Sequence, residues 1–251
     1  MRPIQKPTCP TVGGVAKTVT DYASWKSDLE AAIGMFCTYC GMRLNNSPQV
    51  EHVVPQTPMT GNPAGNPLDW DNVVFSCAAC NGSAGKSNKN YNDVDHYMPE
   101  KHNTILPFEY RELNGHVTVE IASGLSVSQQ KKASDTIDIF NFQNIDIREK
   151  KFDYRSSERW QTMQAVNAAY ENYRMAKVSP TYDANIASEN IAFQAASSGF
   201  FQLWLDVFIN EPDVLKKLIH QNFHPGTHQQ SFDAITGKPI NRNPLNVVDP
   251  I

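Results

Sequence analysis

Apolar positions along this chain keep helical spacing through its second half and lose it in much of the first. Tyr22, Trp25, Leu29, Ala32 and Ile33 recur at three- and four-residue steps, which predicts a helix over 22–33 ended by Gly34. Val50 to Val54 is rich in β-branched residues and stops at Pro55, as a strand would; a second short strand is expected over 72–75. Residues 55–69, rich in Pro, Gly, Asn and Thr, have no period and read as a loop. A helix is expected to begin near Cys80 or Asn81, its first turn weakened by Gly82 and Gly85. Val117 to Ile121 alternates behind Asn114-Gly115, a hairpin-turn signal.

Past Gly124 the pattern turns helical, with segments expected over 126–142, 154–177, 186–209 and 214–223. In the second, Trp160, Met163, Val166, Tyr170 and Tyr173 line one face. The run from Phe200 to Ile209 is apolar nearly all round, which places it in a helical core or in an interface. Pro212 sits where the first turn of a new helix tolerates it. The fold class expected is therefore α+β. Residues 1–20 read as an N-terminal arm, 21–110 as a small module, 111–225 as a hairpin and helical subdomain, and 226–251 as an extended tail.

Composition narrows the setting. No apolar run reaches the length needed to cross a bilayer, so no membrane partner is expected. Met1 to Pro7 lacks the apolar core and small-residue cleavage site of a secretory leader, and a cytoplasmic location is expected. In a reducing compartment cysteines read as metal ligands rather than disulfides, with Cys9 left alone. The formal charge of −4 is unlike that of a stand-alone nucleic-acid binder, whose affinity rests on neutralising phosphates. Basic residues are local: Lys131-Lys132, Arg148, Lys150-Lys151, Arg155 and Arg159. Either they form one patch on an acidic body, or another protein helps to hold the nucleic acid.

The chemistry sits between residues 37 and 86. Two Cys-x-x-Cys pairs, Cys37/Cys40 and Cys77/Cys80, can each aim both thiolates at one point, as a tetrahedral zinc ion requires. The segment between them would be a hairpin closed at its base by the metal. Structural zinc contributes roughly 10–16 kcal/mol, more than so small a hairpin gains by burial. Taken alone, the cysteines are equally compatible with a zinc knuckle that only scaffolds. The clamp, however, encloses Glu51-His52 and Asn72, and Asn81 follows its last cysteine. Phosphodiester cleavage needs a deprotonated water in line with the bond and positive charge at the departing oxygen. A neutral histidine, His52, suits the first task. A hard divalent ion, Mg²⁺ or Mn²⁺, suits the second, and Glu51 and Asn81 offer it a carboxylate and an amide oxygen. Asn72 can donate and accept, enough to pin the loop that orients His52. Neighbouring strand residues point to opposite faces, yet a distorted strand end can aim both Glu51 and His52 at one pocket.

Cys37-x-x-Cys40, Glu51-His52-Val53-Val54-Pro55, Asn72 and Cys77-x-x-Cys80-Asn81 resemble the HNH endonucleases of the ββα-metal fold in their four-cysteine zinc form. The resemblance implies a zinc-stapled ββα-metal nuclease module followed by a mostly helical C-terminal subdomain. It implies Glu51 and Asn81 as ligands of the catalytic ion, His52 as general base and Asn72 as its support. Lys86 lies farther from Asn81 than in the frequent Cys-Asn-x-x-Lys ending and is kept as a candidate substrate contact. Met1 to Ile4, Cys80-Asn81-Gly82 and Ala133 to Ile137 through Arg148 are further similar to a bacterial group of HNH proteins. That group includes the PtuB nuclease subunits of Septu-type anti-phage systems, which implies an ABC/SMC-like ATPase partner and DNA as substrate. Cleavage of RNA, or zinc-dependent binding without cleavage, are the rival readings. His220, His224 and His228 recur every four residues, but Pro225-Gly226 interrupts them, so a second metal site is not expected. His96, His102 and His116 read as ordinary surface histidines.

Overall fold

The computed structural model describes residues 1–45, 48–59, 61–149 and 152–251. In chain order these form β1 (Thr11–Val12), β2 (Val15–Ala16), α1 (Lys26–Ile33), β3 (Gln49–His52), β4 (Val73–Ser76), α2 (Ala78–Asn81), β5 (Phe108–Leu113) and β6 (His116–Ile121). Five helices follow: α3 (Val127–Phe140), α4 (Arg155–Lys177), α5 (Ala184–Ser198), α6 (Phe201–Val207) and α7 (Pro212–Leu218). Among the described residues the strands form three antiparallel pairs, β1–β2, β3–β4 and β5–β6. Small strand pairs beside helices make this an α+β chain. Among the described residues no helix is long and apolar enough to cross a membrane.

Local chemistry explains most boundaries. Asn114 and Gly115 both take positive φ (51° and 76°), the geometry that a two-residue hairpin turn needs to match the twist of β5 and β6. Ser126 caps α3 in a reciprocal capping box with Gln129. The helix expected over 22–33 is a 3-10 turn, Tyr22–Trp25, running into α1, and Gly34 ends it at φ 70°. Asn72 belongs to a 3-10 turn, Trp70–Asn72, so β4 starts one residue later than expected. The helix expected to begin near Cys80 starts at Ala78 and ends at Asn81, because the Cys77 sulfur caps it and Gly82 closes it.

The helix expected over 186–209 is two helices. Gly199 (φ 78°) and Phe200 (φ 51°) leave helical geometry between α5 and α6. There Met42 bridges Gly199, and Phe200 N donates to Gly41 O at 2.7 Å. A Cβ on Gly199 would lie 2.5 Å from Arg43 N, so this close approach requires glycine. The last expected helix, 214–223, is α7 and stops at Leu218.

Two apolar clusters form the interior. One joins Trp25 of the 3-10 turn and Leu29 and Ile33 of α1 to Val73, Val74 and Phe75 of β4, the paired cysteines, and Ile137 and Phe140 of α3. The other joins α4 through α7. Phe200, Phe201, Leu203, Trp204, Leu205 and Phe208 are all buried in the second, so most of the apolar 200–209 run is core. Only the first four residues of the N-terminal arm are buried: Arg2 donates to Ile33 O, Pro225 O and Thr227 Oγ1 at 2.7–2.8 Å, whereas 11–16 are exposed. In the tail, Asp249 pairs with Lys132 at 2.8 Å.

Among the described residues, each basic side chain of the expected patch is paired with an acidic neighbour. Arg155 and Arg159 are buried (each 1% exposed) and both pair with Asp153. Lys131 pairs with Asp135 and Arg148 with Asp146. Lys150 and Lys151 lie outside the described residues.

Candidate metal centres and active site

The four cysteines meet. Cys37 and Cys40 flank the turn after α1, whereas Cys77 and Cys80 frame the start of α2; their sulfurs all lie within 4.8 Å of one another. A tetrahedral ion with Zn–S near 2.3 Å sets its sulfurs about 3.8 Å apart. Cys40 Sγ and Cys77 Sγ are separated by 3.8 Å. Cys80 N donates to Cys77 Sγ at 3.4 Å, and Arg155 Nη1 donates to Cys80 Sγ at 2.9 Å. Burial pushes the Cys40 and Cys80 thiols well above their usual range. Four buried soft donors at this spacing fit a zinc-type ion. Cys9 lies elsewhere, with its sulfur against the carbonyls of Pro10 and Lys17.

A second set of side chains lines a polar cavity of about 270 Å³, among them Glu51, His52, Asn81 and Lys86. Glu51 and His52 are the last two residues of β3, opposite Val74 and Val73 of β4. They reach one cavity because the chain bends immediately afterwards, at Val53 and Val54. Asn72 fixes that bend. Its Oδ1 accepts from Val54 N at 2.8 Å, and its Nδ2 donates to Val54 O and Asn66 O, each at 3.0 Å. A Cβ on Gly65 would lie 2.2 Å from Val54 O and 2.5 Å from Asn72 Nδ2, so only glycine lets the loop close over this amide.

His52 Nε2 lies 3.1 Å from Pro67 O. A carbonyl only accepts, so this contact assigns the proton to Nε2 and leaves the lone pair on Nδ1. Gln56 Nε2 approaches both ring nitrogens, at 3.4 and 3.2 Å, and the Tyr22 ring meets the imidazole edge-on at 4.9 Å. Burial lowers the His52 pKa; the Pro67 carbonyl opposes the shift and the Lys86 ammonium adds to it.

Glu51 is buried, and Lys86, 0% exposed, donates to its Oε1 at 2.6 Å. Burial raises the Glu51 pKa, with Lys86 pulling it back. Gly85 makes the placement possible: a Cβ there would lie 2.3 Å from Cys80 O, where Lys86 N now donates at 2.8 Å. Asn81 Nδ2 donates to Gln49 Oε1 at 3.0 Å, which turns the amide oxygen into the end left for a ligand. A carboxylate and an amide oxygen beside one cavity are the donor chemistry that a hard divalent ion takes.

Pattern reading overlooked Gln49, Gln56, Tyr22 and Gly65. Gln49 stands two residues before Glu51 on β3, hence on the same face, and strand periodicity could have found it. Gln56 and Gly65 lie in the aperiodic loop, where no such signal exists. The other histidines are engaged elsewhere, and His96 and His102 are buried rather than on the surface. His96 Nδ1 accepts from Asn92 N, His102 Nδ1 from Met98 N and His220 Nδ1 from Asn222 N, while His116 meets Ser156, His224 meets Leu218 O and His228 meets Ser231. Among the described residues, the four cysteines are the one cluster of His, Cys, Asp and Glu with ligand atoms close enough to hold a metal.

Residues 37–87 match the family model described as HNH endonuclease, a segment that contains the cysteine cluster together with Glu51, His52, Asn72, Asn81 and Lys86. No curated protein and no solved structure matches the chain.

Proposed function

We propose that this chain is a metal-dependent endonuclease that hydrolyses phosphodiester bonds, DNA before RNA, with residues 37–87 as its active module. The observation that carries the reading is the convergence of Glu51, His52 and Asn81 on one polar cavity, beside a four-cysteine cluster. Cys37, Cys40, Cys77 and Cys80 hold zinc and give the hairpin its rigidity. Glu51 and Asn81 hold a divalent ion, Mg²⁺ or Mn²⁺, which when bound supplies positive charge at the departing oxygen. His52 Nδ1 takes a proton from water; the resulting hydroxide forms the new P–O bond as the bond to the departing oxygen breaks. The Pro67 carbonyl holds the tautomer that this step needs, and the Asn72 amide holds the loop carrying it. The depressed His52 pKa keeps the imidazole neutral at physiological pH.

A partner that brings positive charge to the nucleic acid, such as the ABC/SMC-like ATPase of an anti-phage complex, suits the net charge of −4. The internal ion pairs of Arg155, Arg159, Lys131, Lys132 and Arg148 favour the same reading.

The test is incubation with supercoiled plasmid and with total RNA, with and without Mg²⁺ or Mn²⁺. It is run alone and with the product of the neighbouring gene, using His52→Ala as control. Metal-dependent nicking of plasmid that His52→Ala abolishes is expected. RNA cleavage alone would reverse the substrate assignment. Metal-independent cleavage, or cleavage equal in His52→Ala, would remove the proposed chemistry.

A further inference from the structure

We infer that Lys86 is an internal counter-ion that competes with the divalent cation for Glu51, so that loading the site releases a buried lysine into the cavity. The inference deepens the nuclease reading and rests on it, because it takes Glu51 as a ligand of the catalytic ion.

Lys86 ends in a place that a surface cation does not reach. Its side chain is 0% exposed, and its ammonium lies 2.6 Å from Glu51 Oε1, with a second bond to Ser87 O at 3.2 Å. A buried carboxylate needs a cation, and in this arrangement lysine supplies it. The backbone is built for the contact. Gly85 permits the chain to turn back onto Cys80, Lys86 N is pinned to Cys80 O, and Ser87 takes a left-handed φ of 47°.

A divalent ion on the same carboxylate oxygen, at about 2.1 Å, would stand roughly 5 Å or less from the ammonium. Two like-signed centres cannot share one buried carboxylate at that separation without strong repulsion. The lysine has an exit: Glu51 and Lys86 both line the cavity of about 270 Å³, beside Asn81, Ser87 and Asn88. Only molecules in which Lys86 has left the carboxylate accept the ion, so apparent metal affinity is reduced by the fraction in that state. A displaced ammonium stays tethered beside the cavity in which the phosphate is expected, where its charge favours the substrate. In the absence of metal the same lysine keeps a buried carboxylate satisfied and the module stable.

The experiment uses the zinc-loaded full chain and reads metal binding rather than cleavage. Mn²⁺ is titrated at pH 8 into wild type, Lys86→Gln, Lys86→Arg and Glu51→Gln, with binding followed by Mn²⁺ electron paramagnetic resonance. Lys86→Gln keeps a hydrogen-bond donor without charge and should bind Mn²⁺ about tenfold tighter. Lys86→Arg keeps the charge and should stay within about threefold of wild type. Should Lys86→Gln fail to fold, wild type suffices: acylation of Lys86 by an amine-reactive reagent, followed by mass spectrometry, should quicken several-fold at saturating Mg²⁺ and not with K⁺. Equal or weaker Mn²⁺ binding by Lys86→Gln while Glu51→Gln loses binding, or Lys86 acylation indifferent to Mg²⁺, overturns the competition and leaves the nuclease reading intact. Wild-type Mn²⁺ affinity in Glu51→Gln removes Glu51 as a ligand, and both readings fall together.

Discussion

Arg155 Nη1 donates to Cys80 Sγ at 2.9 Å, although the two residues are 75 positions apart and belong to different parts of the fold. The remaining nitrogens of the same guanidinium reach Asp153, the Phe140 carbonyl and the Asn141 carbonyl. One buried cation therefore joins a cysteine of the metal cluster, the end of α3 and the start of α4. Four thiolates around Zn²⁺ leave net negative charge, and a guanidinium against one sulfur offsets part of it. Arg155→Ala should weaken zinc retention by the roughly 10–100-fold that loss of an outer-shell partner costs. Arg155→Lys keeps the charge but not the planar fork, and should fall between. Zinc release to a chromogenic chelator measures both; wild-type kinetics in Arg155→Ala would remove the link.

The same contact changes what metal removal should do. A zinc knuckle that scaffolds only its own hairpin would leave the helices intact when stripped. Here Phe200 N is held by Gly41 O within the first knuckle, and Arg155 is held by the second. Chelation of the ion, or Cys80→Ser, should raise hydrogen exchange in the first turns of α4 and α6 as well as in β3 and β4. Exchange confined to residues 37–87 would show the helical half to be independent.

How far the sequence reveals this arrangement depends on the range of each signal. The strand pair, the Asn114-Gly115 hairpin and α4 are written in local periodicity and turn chemistry, and each appears within a residue or two of its expected place. The cysteine cluster is legible because Cys-x-x-Cys spacing fixes half of a tetrahedron locally. What stayed hidden is long-range. The break at Gly199-Phe200 serves an approach to Gly41 and Met42, and within 186–209 the apolar pattern runs on unbroken. Arg155 and Arg159 look like surface cations until Asp153 and the carbonyls around them are in view. Likewise, nothing in the spacing of Glu51 and Lys86 tells that they meet.

His52 should govern cleavage without governing stability. Its ring is half-buried, and its bonds to Pro67 O and Gln56 are peripheral to the core. His52→Ala should lower the cleavage rate by roughly 10²–10⁴-fold with zinc content unchanged. The base must be neutral, and its folded pKa lies below the ordinary value of 6.5. Activity should therefore persist as pH falls through 6.5 and decline only at lower pH. A pH–rate profile with its acid limb above 6.5 would contradict that assignment.

Asn72 should matter through the loop it holds. Asn72→Ala removes three hydrogen bonds and leaves Val54 N and two carbonyls to find water, at a cost of about 1–3 kcal/mol. Asn72→Asp keeps the acceptor for Val54 N but turns a carboxylate oxygen toward the carbonyls of Val54 and Asn66. It should be at least as destabilising as alanine despite its identical shape. Urea unfolding midpoints rank the two, and a near-neutral Asn72→Asp would show the amide nitrogen to be dispensable.

Acid should unfold this protein earlier than its carboxylates alone would dictate. Burial holds His224 down to about 3, with Arg2 adding to the shift, and burial with Lys132 nearby holds His102 down to about 4. Burial likewise puts His228 at about 4, beside Arg242. These depressed values mean that below about pH 6.5 the unfolded chain binds protons that the folded chain refuses. Stability is complete above 6.5 and falls as pH drops toward the folded values, by up to about 1.4 kcal/mol per pH unit for each proton. His224 is the cleanest probe, because Nδ1 lies 2.8 Å from Leu218 O and Nε2 is buried without a hydrogen-bond partner. His224→Asn places an amide nitrogen where Nδ1 stood and removes the titration. Between pH 6.5 and 4 its unfolding free energy should fall less steeply than wild type by close to one proton's worth. An unchanged slope would mean that His224 takes up its proton without unfolding the chain.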